Sequence, residues 1–151
     1  MTNNWKERPI EVLLVEDNQD DVELTLFALE EQGLKNKIKV VGDGAEALSF
    51  LWCTDQYAHR NPNQNPKLIL LDLKLPKVDG LEVLEFLKSD PRTQLLPVVI
   101  LTSSRDIQDV TKGYTLGTNS YIVKPVDYDK FTAAVQELSL YWLGLNQPPY
   151  F

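Results

Sequence analysis

Five short apolar runs are spaced along the chain, and they lie at 10–15, 38–41, 68–71, 98–101 and 121–123. The first, third and fourth runs each contain an unbroken apolar stretch in which polar and apolar residues do not alternate. That pattern favours strands that are buried on both faces, as in a parallel sheet. We therefore predict five strands, of which at least three lie inside the domain.

Between these runs, apolar residues return at the spacing of a helix. Val22, Leu26 and Leu29 form the first stripe, and Gly33 is a suitable C-terminal stop. Further helices are predicted at 45–52, around Val83, Leu84 and Leu87 with an end before Asp90-Pro91, at 106–116, and from Asp127 through Phe131, Val135, Leu138 and Trp142. Strands and helices alternate throughout, which predicts a doubly wound α/β fold with five βα units.

Three segments lie outside this alternation. Residues 54–67 are rich in Asn and Pro, which predicts a surface loop. Residues 1–9 form an N-terminal arm, and residues 144–151 form a short tail because Pro148-Pro149 cannot continue a helix. The single predicted domain therefore covers residues 10–143.

Charge and cysteine content narrow the class of protein. A net charge of −7 and a pI near 4.7 disfavour binding to nucleic acid or to an anionic membrane surface. No apolar run approaches the roughly 18 residues of a membrane span, and residues 1–9 lack the apolar stretch of a signal peptide. Cys53 is alone, so no intrachain disulfide forms, and we expect a cytoplasmic protein that binds neither nucleic acid nor membrane.

Polar residues follow four of the five predicted strands, and they are Glu16 with Asp17, Asp72, Thr102 and Lys124. Ligands of open parallel sheets bind beyond the carboxyl ends of the strands. Each residue alone is typical of a helix cap, a turn or a solvated surface. Their recurrence at the same position of successive strands instead predicts one site with three carboxylates, one hydroxyl and one ammonium.

The chemistry of such a site is restricted by its charges. Carboxylates that share a pocket repel one another and are neutralised by a proton or a cation. Oxygen ligands without a His or Cys cluster favour Mg²⁺ or Mn²⁺ over zinc. A carboxylate can also attack phosphorus to form an acyl phosphate, and a metal, Lys124 and Thr102 then stabilise the phosphoryl oxygens.

Four motifs surround these positions: Leu14-Val15-Glu16-Asp17-Asn18, Leu71-Asp72-Leu73-Lys74-Leu75-Pro76 with Asp79-Gly80, Leu101-Thr102-Ser103-Ser104, and Tyr121-Ile122-Val123-Lys124-Pro125. In combination they resemble the receiver domains of two-component response regulators over residues 10–140, nearly the whole chain. The resemblance implies a flavodoxin-like sheet with strand order 2-1-3-4-5. It also implies a signalling phosphoacceptor that supports its own phosphotransfer and dephosphorylation, and not an enzyme in the usual sense.

The resemblance assigns roles around the acceptor. It implies that Asp72 takes the phosphoryl group and contributes to a Mg²⁺ or Mn²⁺ site. Asp17 looks like a direct ligand of that metal, and Glu16 looks like a second acidic partner that acts through water. The backbone carbonyl of Lys74 resembles the remaining protein ligand.

The resemblance also assigns the residues that respond to the phosphoryl group. Thr102 is similar to the switch hydroxyl, Tyr121 to the switch aromatic, and Lys124 to the phosphoryl-binding lysine. The Lys124–Pro125 peptide bond is implied to be cis, an isomer that costs an X–Pro bond only about 0.5–1 kcal/mol. Phosphorylation is then expected to change the face formed by the fourth helix, the fifth strand and the fifth helix.

Within this family, the chain most resembles the stand-alone regulators that partner cyanobacterial phytochrome histidine kinases. The features are the long loop before Leu68, the run Leu70-Leu71-Asp72-Leu73-Lys74-Leu75-Pro76-Lys77, and the aromatic C-terminal extension with Pro148-Pro149. The implied phosphodonor is a phytochrome-type sensor histidine kinase. The downstream target is not specified by any motif.

Three other classes fit the sequence less well. A phosphohydrolase of the haloacid dehalogenase type needs an Asp two residues after its nucleophile, where this chain has Lys74. A flavodoxin-like redox protein needs a Ser/Thr/Gly-rich loop after the first strand, and residues 16–21 are instead acidic. A receiver-shaped docking protein needs no phosphorylation site, yet all five site residues are present.

The C-terminal segment is more apolar than its own helix requires, and the residues concerned are Leu140, Tyr141, Trp142, Leu143, Leu145, Tyr150 and Phe151. A surface helix needs only one apolar stripe. Large exposed apolar patches mark interfaces, and Tyr and Trp are favoured at their centres. We therefore predict a homodimer through the face of helix 4, strand 5 and helix 5. The alternative is that the tail covers its own subunit.

Overall fold

The chain folds as one parallel sheet between two layers of helices. This computed structural model describes residues 10–34 and 37–149. The strands are β1 (Val12–Val15), β2 (Ile38–Val41), β3 (Leu68–Leu71), β4 (Val98–Thr102) and β5 (Ser120–Val123), and the helices are α1 (Gln19–Glu30), α2 (Gly44–Trp52), α3 (Gly80–Ser89), α4 (Ile107–Leu116) and α5 (Tyr128–Ser139). The strand order is β2-β1-β3-β4-β5 with parallel pairing throughout, which confirms the predicted fold.

The sheet is buried on both faces, which explains the unbroken apolar runs. Leu13, Ile69 and Ile100 pack with α2 and α3 on one face. Leu14 and Leu70, on the other face, pack with α1 and α5. All of these side chains are at most 3% exposed, so every position along the central strands has to be apolar.

Four of the five α-helices begin where a short polar side chain accepts a hydrogen bond from the first helical turn. Asn18, Asp43, Asp106 and Asp127 serve as these caps for α1, α2, α4 and α5. Side-chain oxygens at this position satisfy N–H groups that have no partner within the helix. The caps therefore fix where these four helices start after their strands, and so help to fix the loops at the carboxyl edge of the sheet.

The segment at 54–67 is the predicted surface loop, with one 3₁₀ turn at Asp55–Tyr57. Tyr57 and Arg60 fasten it to α2. Tyr57 lies edge-on to Phe50 at 5.1 Å between ring centroids, and its hydroxyl donates to Glu46 at 2.6 Å. Arg60 stacks over Phe50 at 3.7 Å from the ring centroid and donates to its carbonyl.

The last helix continues beyond its predicted end. A π-helical segment, Leu140–Leu145, follows α5 directly and ends one residue after Gly144. Trp142 and Leu143 pack against the core, whereas Leu140, Tyr141 and Leu145 are exposed. The predicted arm at 1–9, and Tyr150 and Phe151 of the predicted tail, lie outside the described residues. Within the described ranges, no helix is both long enough and apolar enough to cross a bilayer.

Candidate functional site at the carboxyl edge of the sheet

The polar residues that follow the strands converge at one edge of the sheet. One carboxylate oxygen each from Glu16, Asp17 and Asp72 lies within 4.8 Å of the others. Backbone hydrogen bonds extend past the strands to hold these positions. The N–H of Asp72 donates to Val15 at 3.0 Å, and that of Lys124 donates to Thr102 at 2.7 Å. The predicted grouping of the carboxylates is therefore present in the structure.

The ammonium of Lys124 is the centre of this group. Its Nζ donates to Glu16, to Asp21 at 2.8 Å and to Asp72 at 3.1 Å. The Lys124 side chain is only 9% exposed, and the Glu16 side chain is only 3% exposed. Water screens these charges little, so the carboxylates and the ammonium depend on one another for neutralisation.

Asp21 is the member of this group that sequence reasoning missed. It lies in the first turn of α1 and not directly after a strand. An acidic residue there is ordinarily interpreted as a favourable partner of the helix dipole, which hid its second role. The signal that could have found it is the acidic run at 16–21, which continues from the end of β1 into the first turn of α1 and includes Asp21.

The pKa values of Glu16 and Asp72 are shifted in opposite directions. Burial and the neighbouring Asp72 carboxyl group raise the pKa of Glu16, against the opposing effect of Lys124. Burial also acts to raise the pKa of Asp72, but the neighbouring Glu16 carboxyl group and the charge of Lys124 outweigh it and lower that pKa. Asp72 is thus the carboxyl group held in its ionised form, as a nucleophile requires.

Burial acts to lower the pKa of Lys124, but the hydrogen bonds that its ammonium donates to Asp21 and Glu16, together with the charge of Asp72, raise it overall. The ammonium therefore keeps its positive charge inside the site. A fixed positive charge beside the acceptor is suited to stabilise negative charge that arrives on it.

Hydrogen bonds and close packing fix the loop that carries Asp72. Oδ1 of Asp72 accepts the N–H of Leu73 at 2.7 Å. The N–H of Gly80 donates to the carbonyl of Leu73 at 2.9 Å. A side chain at Gly80 would bring its Cβ within 2.2 Å of the Asp72 carbonyl oxygen, so only glycine fits where α3 begins. The Asp79-Gly80 pair of the sequence motif thus holds the loop that carries the acceptor.

Thr102 and Tyr121 both contact the loop that follows β4. Thr102 is fully buried, and its hydroxyl accepts the N–H of Ser104 at 3.4 Å. The hydroxyl of Tyr121 donates to the carbonyl of Ser104 at 3.0 Å. The Thr102 hydroxyl also acts to lower the pKa of Asp72. One loop residue therefore joins the predicted switch hydroxyl to the predicted switch aromatic.

The predicted cis peptide bond at Lys124–Pro125 is wrong, because the structure has no cis peptide bond among the described residues. The trans isomer is the intrinsically favoured one for an X–Pro bond. With that isomer Lys124 already reaches Glu16, Asp21 and Asp72.

The donor set fits a hard divalent cation. Glu16, Asp17 and Asp72 supply oxygen ligands only, which Mg²⁺ and Mn²⁺ prefer. Glu16 Oε2 is buried and has no hydrogen-bond partner among the described residues. Such an atom is costly unless a ligand satisfies it. Lys74 lies two residues after Asp72 with an exposed side chain, and the role of its carbonyl stays a prediction.

Comparisons with known proteins identify the family of this chain. The family model for the response regulator receiver domain matches residues 12–136. The chain is 39% identical over 144 residues to the probable methanogenesis regulatory protein FilR2 of Methanothrix harundinacea, which covers 95% of this chain and 90% of FilR2. It is 36% identical over 135 residues to response regulator Rcp1 of Synechocystis, which covers 89% of this chain and 90% of Rcp1.

Solved structures give the same result. The Mn²⁺-bound form of Rcp1 superposes with a TM-score of 0.85 and 36% identity, covering 91% of this chain and 97% of that chain. The phosphorylated cyanobacterial phytochrome response regulator RcpA superposes with a TM-score of 0.86 and 38% identity, covering 91% of this chain and 96% of that chain.

The range that the family model matches contains Glu16, Asp17, Asp72, Thr102 and Lys124. The strand order places these residues together at the carboxyl edge of the sheet. The chain therefore belongs to the response regulator receiver family, and its role is that of a phosphoacceptor in two-component signalling.

Proposed function

We propose that Asp72 is the phosphoacceptor and that the donor is a sensor histidine kinase of the phytochrome type. The observation that carries the proposal is that the carboxylates of Glu16 and Asp17 and the Lys124 ammonium meet around the carboxylate of Asp72. Asp72 is the member of this group whose pKa is lowered while that of Glu16 is raised. It is therefore the carboxylate best suited to attack phosphorus.

In the proposed transfer, a carboxylate oxygen of Asp72 forms a bond to phosphorus. The bond from phosphorus to the histidine nitrogen of the donor breaks, and its electron pair stays on that nitrogen. Lys124 lies 3.1 Å from Asp72 Oδ2 and balances the charge that arrives on the phosphoryl oxygens. Thr102, buried beside Asp72, supplies a hydroxyl that can donate to one of these oxygens.

Reversal of the signal follows from the same site. A water oxygen forms a bond to phosphorus, the bond from phosphorus to Asp72 breaks, and the water releases a proton. The carboxylate is thereby restored without a second protein. We propose that the chain supports this dephosphorylation itself, as it supports its own phosphotransfer.

We propose that the metal of this site is Mg²⁺, with Mn²⁺ as an equivalent. Glu16, Asp17, Asp72 and the carbonyl of Lys74 would hold it, with Glu16 acting through water. When bound, such an ion neutralises negative charge on a phosphoryl group. The carboxylate oxygens within 4.8 Å of one another and the unsatisfied Glu16 Oε2 support this assignment.

The kinase class is supported by the relatives. RcpA is described as a cyanobacterial phytochrome response regulator, and its likeness covers 91% of this chain. The name of FilR2 points to a different process, so a phosphotransfer profile against the histidine kinases of the source organism is the test. We place the chain in the cytoplasm, where such kinases present their phosphohistidine. The net charge of −7 supports a protein partner, with neither nucleic acid nor membrane as a ligand.

We also propose that the chain signals as a homodimer through the face of α4, β5 and α5. A groove of about 440 Å³ lies between β5 and the end of α5, with Ile122, Leu138 and Trp142 in its lining. In the segment that follows α5, Leu140 and Leu145 are 58% and 81% exposed. Exposed apolar side chains and an apolar groove on one part of a surface are typical of an interface.

Intact-mass measurement after incubation with Mg²⁺ and a small phosphodonor tests the acceptor assignment. We expect one phosphoryl group on the wild-type chain and none on Asp72→Asn, because an amide fits the same space but cannot attack phosphorus. Circular dichroism checks that the variant is folded. Stoichiometric phosphorylation of Asp72→Asn would show that another residue is the acceptor.

A further inference from the structure

Lys124 has three carboxylate partners, and they have different roles in the proposed phosphotransfer. Asp72 is the proposed acceptor, and Glu16 belongs to the proposed metal group. Asp21, 2.8 Å from the ammonium, belongs to neither. An ammonium has three N–H donors, so each partner takes one of them.

The backbone of Asp21 is fixed independently of Lys124. Its N–H donates to the Asn18 side chain at 3.1 Å. Its carbonyl accepts the Thr25 hydroxyl at 2.7 Å, and Thr25 is 1% exposed. The start of α1 is thus a rigid support, from which the Asp21 carboxylate, 28% exposed, reaches the ammonium on the far side of the site.

The three contacts respond differently when the site is used. A metal bound near Oε2 of Glu16 draws on the negative charge of the carboxylate whose Oε1 the ammonium contacts, and so weakens that contact. A phosphoryl group on Asp72 removes the charge of that carboxylate oxygen and places new charge on the phosphoryl oxygens. Among the contacts of Lys124 that the structure describes, the one to Asp21 is therefore the contact that both events leave in place.

We infer that Asp21 is a positioning residue for phosphorylation: from the first turn of α1 it holds the Lys124 ammonium so that one N–H stays directed at Asp72 and at the phosphoryl group that forms there. This inference rests on the proposed function. Without Asp21, the ammonium settles on Glu16 and Asp72, where it opposes metal binding and covers the acceptor. Asp21 acts through Lys124 and touches no reacting atom.

The chain offers a matched control. Asp20 lies in the same first turn of α1, is exposed, and has no contact with Lys124 in the described structure. Asp20→Asn and Asp21→Asn remove the same charge from neighbouring positions. A general effect of charge near the site changes both variants alike, whereas an effect through Lys124 changes only Asp21→Asn.

The experiment is a double-mutant cycle between Asp21→Asn and Lys124→Gln, with the affinity for beryllofluoride, a phosphoryl analogue, measured in excess Mg²⁺. We expect Asp21→Asn to weaken binding about tenfold, the effect of losing one charge-assisted hydrogen bond. In the Lys124→Gln background the same change has no further effect, and Asp20→Asn binds as the wild type does. The ¹⁵Nζ signal of Lys124 shifts in Asp21→Asn and not in Asp20→Asn.

Two results overturn the inference. Equal binding by Asp21→Asn and Asp20→Asn shows that no specific contact is involved, and a full tenfold loss in the Lys124→Gln background shows that Asp21 does not act through Lys124. Asp21→Ser, which suits a helix start, repeats the test if Asp21→Asn unfolds. Wild-type phosphorylation on Asp72 is measured in parallel. If it is absent, the proposed function fails, whereas if it is present and the cycle shows no coupling, only this inference fails.

Discussion

Lys124 Nζ lies 3.1 Å from Asp72 Oδ2, although 52 residues separate the two along the chain. They follow β5 and β3, which are not neighbours because β4 lies between them. The lysine side chain therefore reaches across the end of β4, where Thr102 is fully buried. The contact between Lys124 and Asp72 therefore connects the acceptor to β5, which forms part of the face of α4, β5 and α5 that is proposed to signal.

The pKa of Glu16 predicts a measurable pH dependence of stability in the absence of metal. Burial and the Asp72 carboxyl raise this pKa from 4.5 to about 8. A group whose pKa is raised on folding contributes stability at low pH that is lost as the pH rises through the folded value. Glu16→Gln has no carboxyl group to titrate and so lacks this loss. Between pH 5 and pH 8 the free energy of unfolding of the variant, relative to that of the wild type, should therefore rise with pH, by up to about 1.4 kcal/mol per pH unit.

Urea unfolding of both proteins at several pH values provides this measurement. Glu30→Gln, an exposed change on α1, is the control, and it should follow the wild-type pH dependence. A constant difference between Glu16→Gln and the wild type across the range would show that Glu16 does not titrate there.

Much of this arrangement could be predicted from sequence because it depends on local patterns. The unbroken run Leu68–Leu71 favours a strand with two covered faces, and all four residues are fully buried. A polar residue directly after such a strand lies at the sheet edge whatever the details of packing. The positions of Asp72, Thr102 and Lys124 followed from that rule.

The features that sequence reasoning missed depend on contacts between distant elements. Asp21 looks like a helix-dipole residue until β5 places Lys124 opposite it. The helix was predicted to end near Leu143, but packing of Trp142 and Leu143 on the core carries it to Leu145. In both cases tertiary contacts added to or overrode a local signal, as they do for intrinsic propensities.

Replacing Asp17 should weaken metal binding without lowering the stability of the metal-free fold. Asp17 is exposed, yet one of its oxygens lies within 4.8 Å of those of Glu16 and Asp72. We expect Asp17→Ala to weaken Mg²⁺ binding about tenfold or more and to slow phosphorylation, since a ligand and a charge are lost. Without metal, its melting temperature should equal or exceed that of the wild type because repulsion between carboxylates falls. Calorimetric titration and thermal melts test this; a lower melting temperature with unchanged Mg²⁺ affinity contradicts it.

Thr102→Ala should accept phosphate but fail to transmit the change. The Thr102 hydroxyl and the Tyr121 hydroxyl both contact Ser104, so movement of Thr102 towards a phosphoryl oxygen releases one of two contacts on this loop. A shift between two packings of Tyr121 then follows. Solution NMR of the phosphorylated proteins should show changes in α4 and β5 for the wild type and for Thr102→Ser, which keeps the hydroxyl. The full wild-type change in Thr102→Ala would exclude this role for Thr102.

The exposed residues after α5 predict how the dimer is held together. Trp142 and Leu143 pack on their own subunit, so for these two residues the alternative applies, in which the segment covers its own core. Leu140, Tyr141 and Leu145 do not, and at 58%, 50% and 81% exposure they are available to a partner. The two leucines are the purely apolar side chains among them, so the dimer prediction is tested on these.

We expect the double change Leu140→Ser and Leu145→Ser to lower the dimer fraction in light scattering at micromolar concentration while phosphorylation of Asp72 continues, because the acceptor lies at the carboxyl edge of the sheet and these residues do not. Leu95→Ser is the matched control: Leu95 is 68% exposed but lies between α3 and β4. It should dimerise as the wild type does. Equal dimerisation of all three proteins, or a monomeric wild type in both phosphorylation states, would assign the exposed leucines another role, since burial of their apolar surface is the stabilisation that the interface is proposed to use.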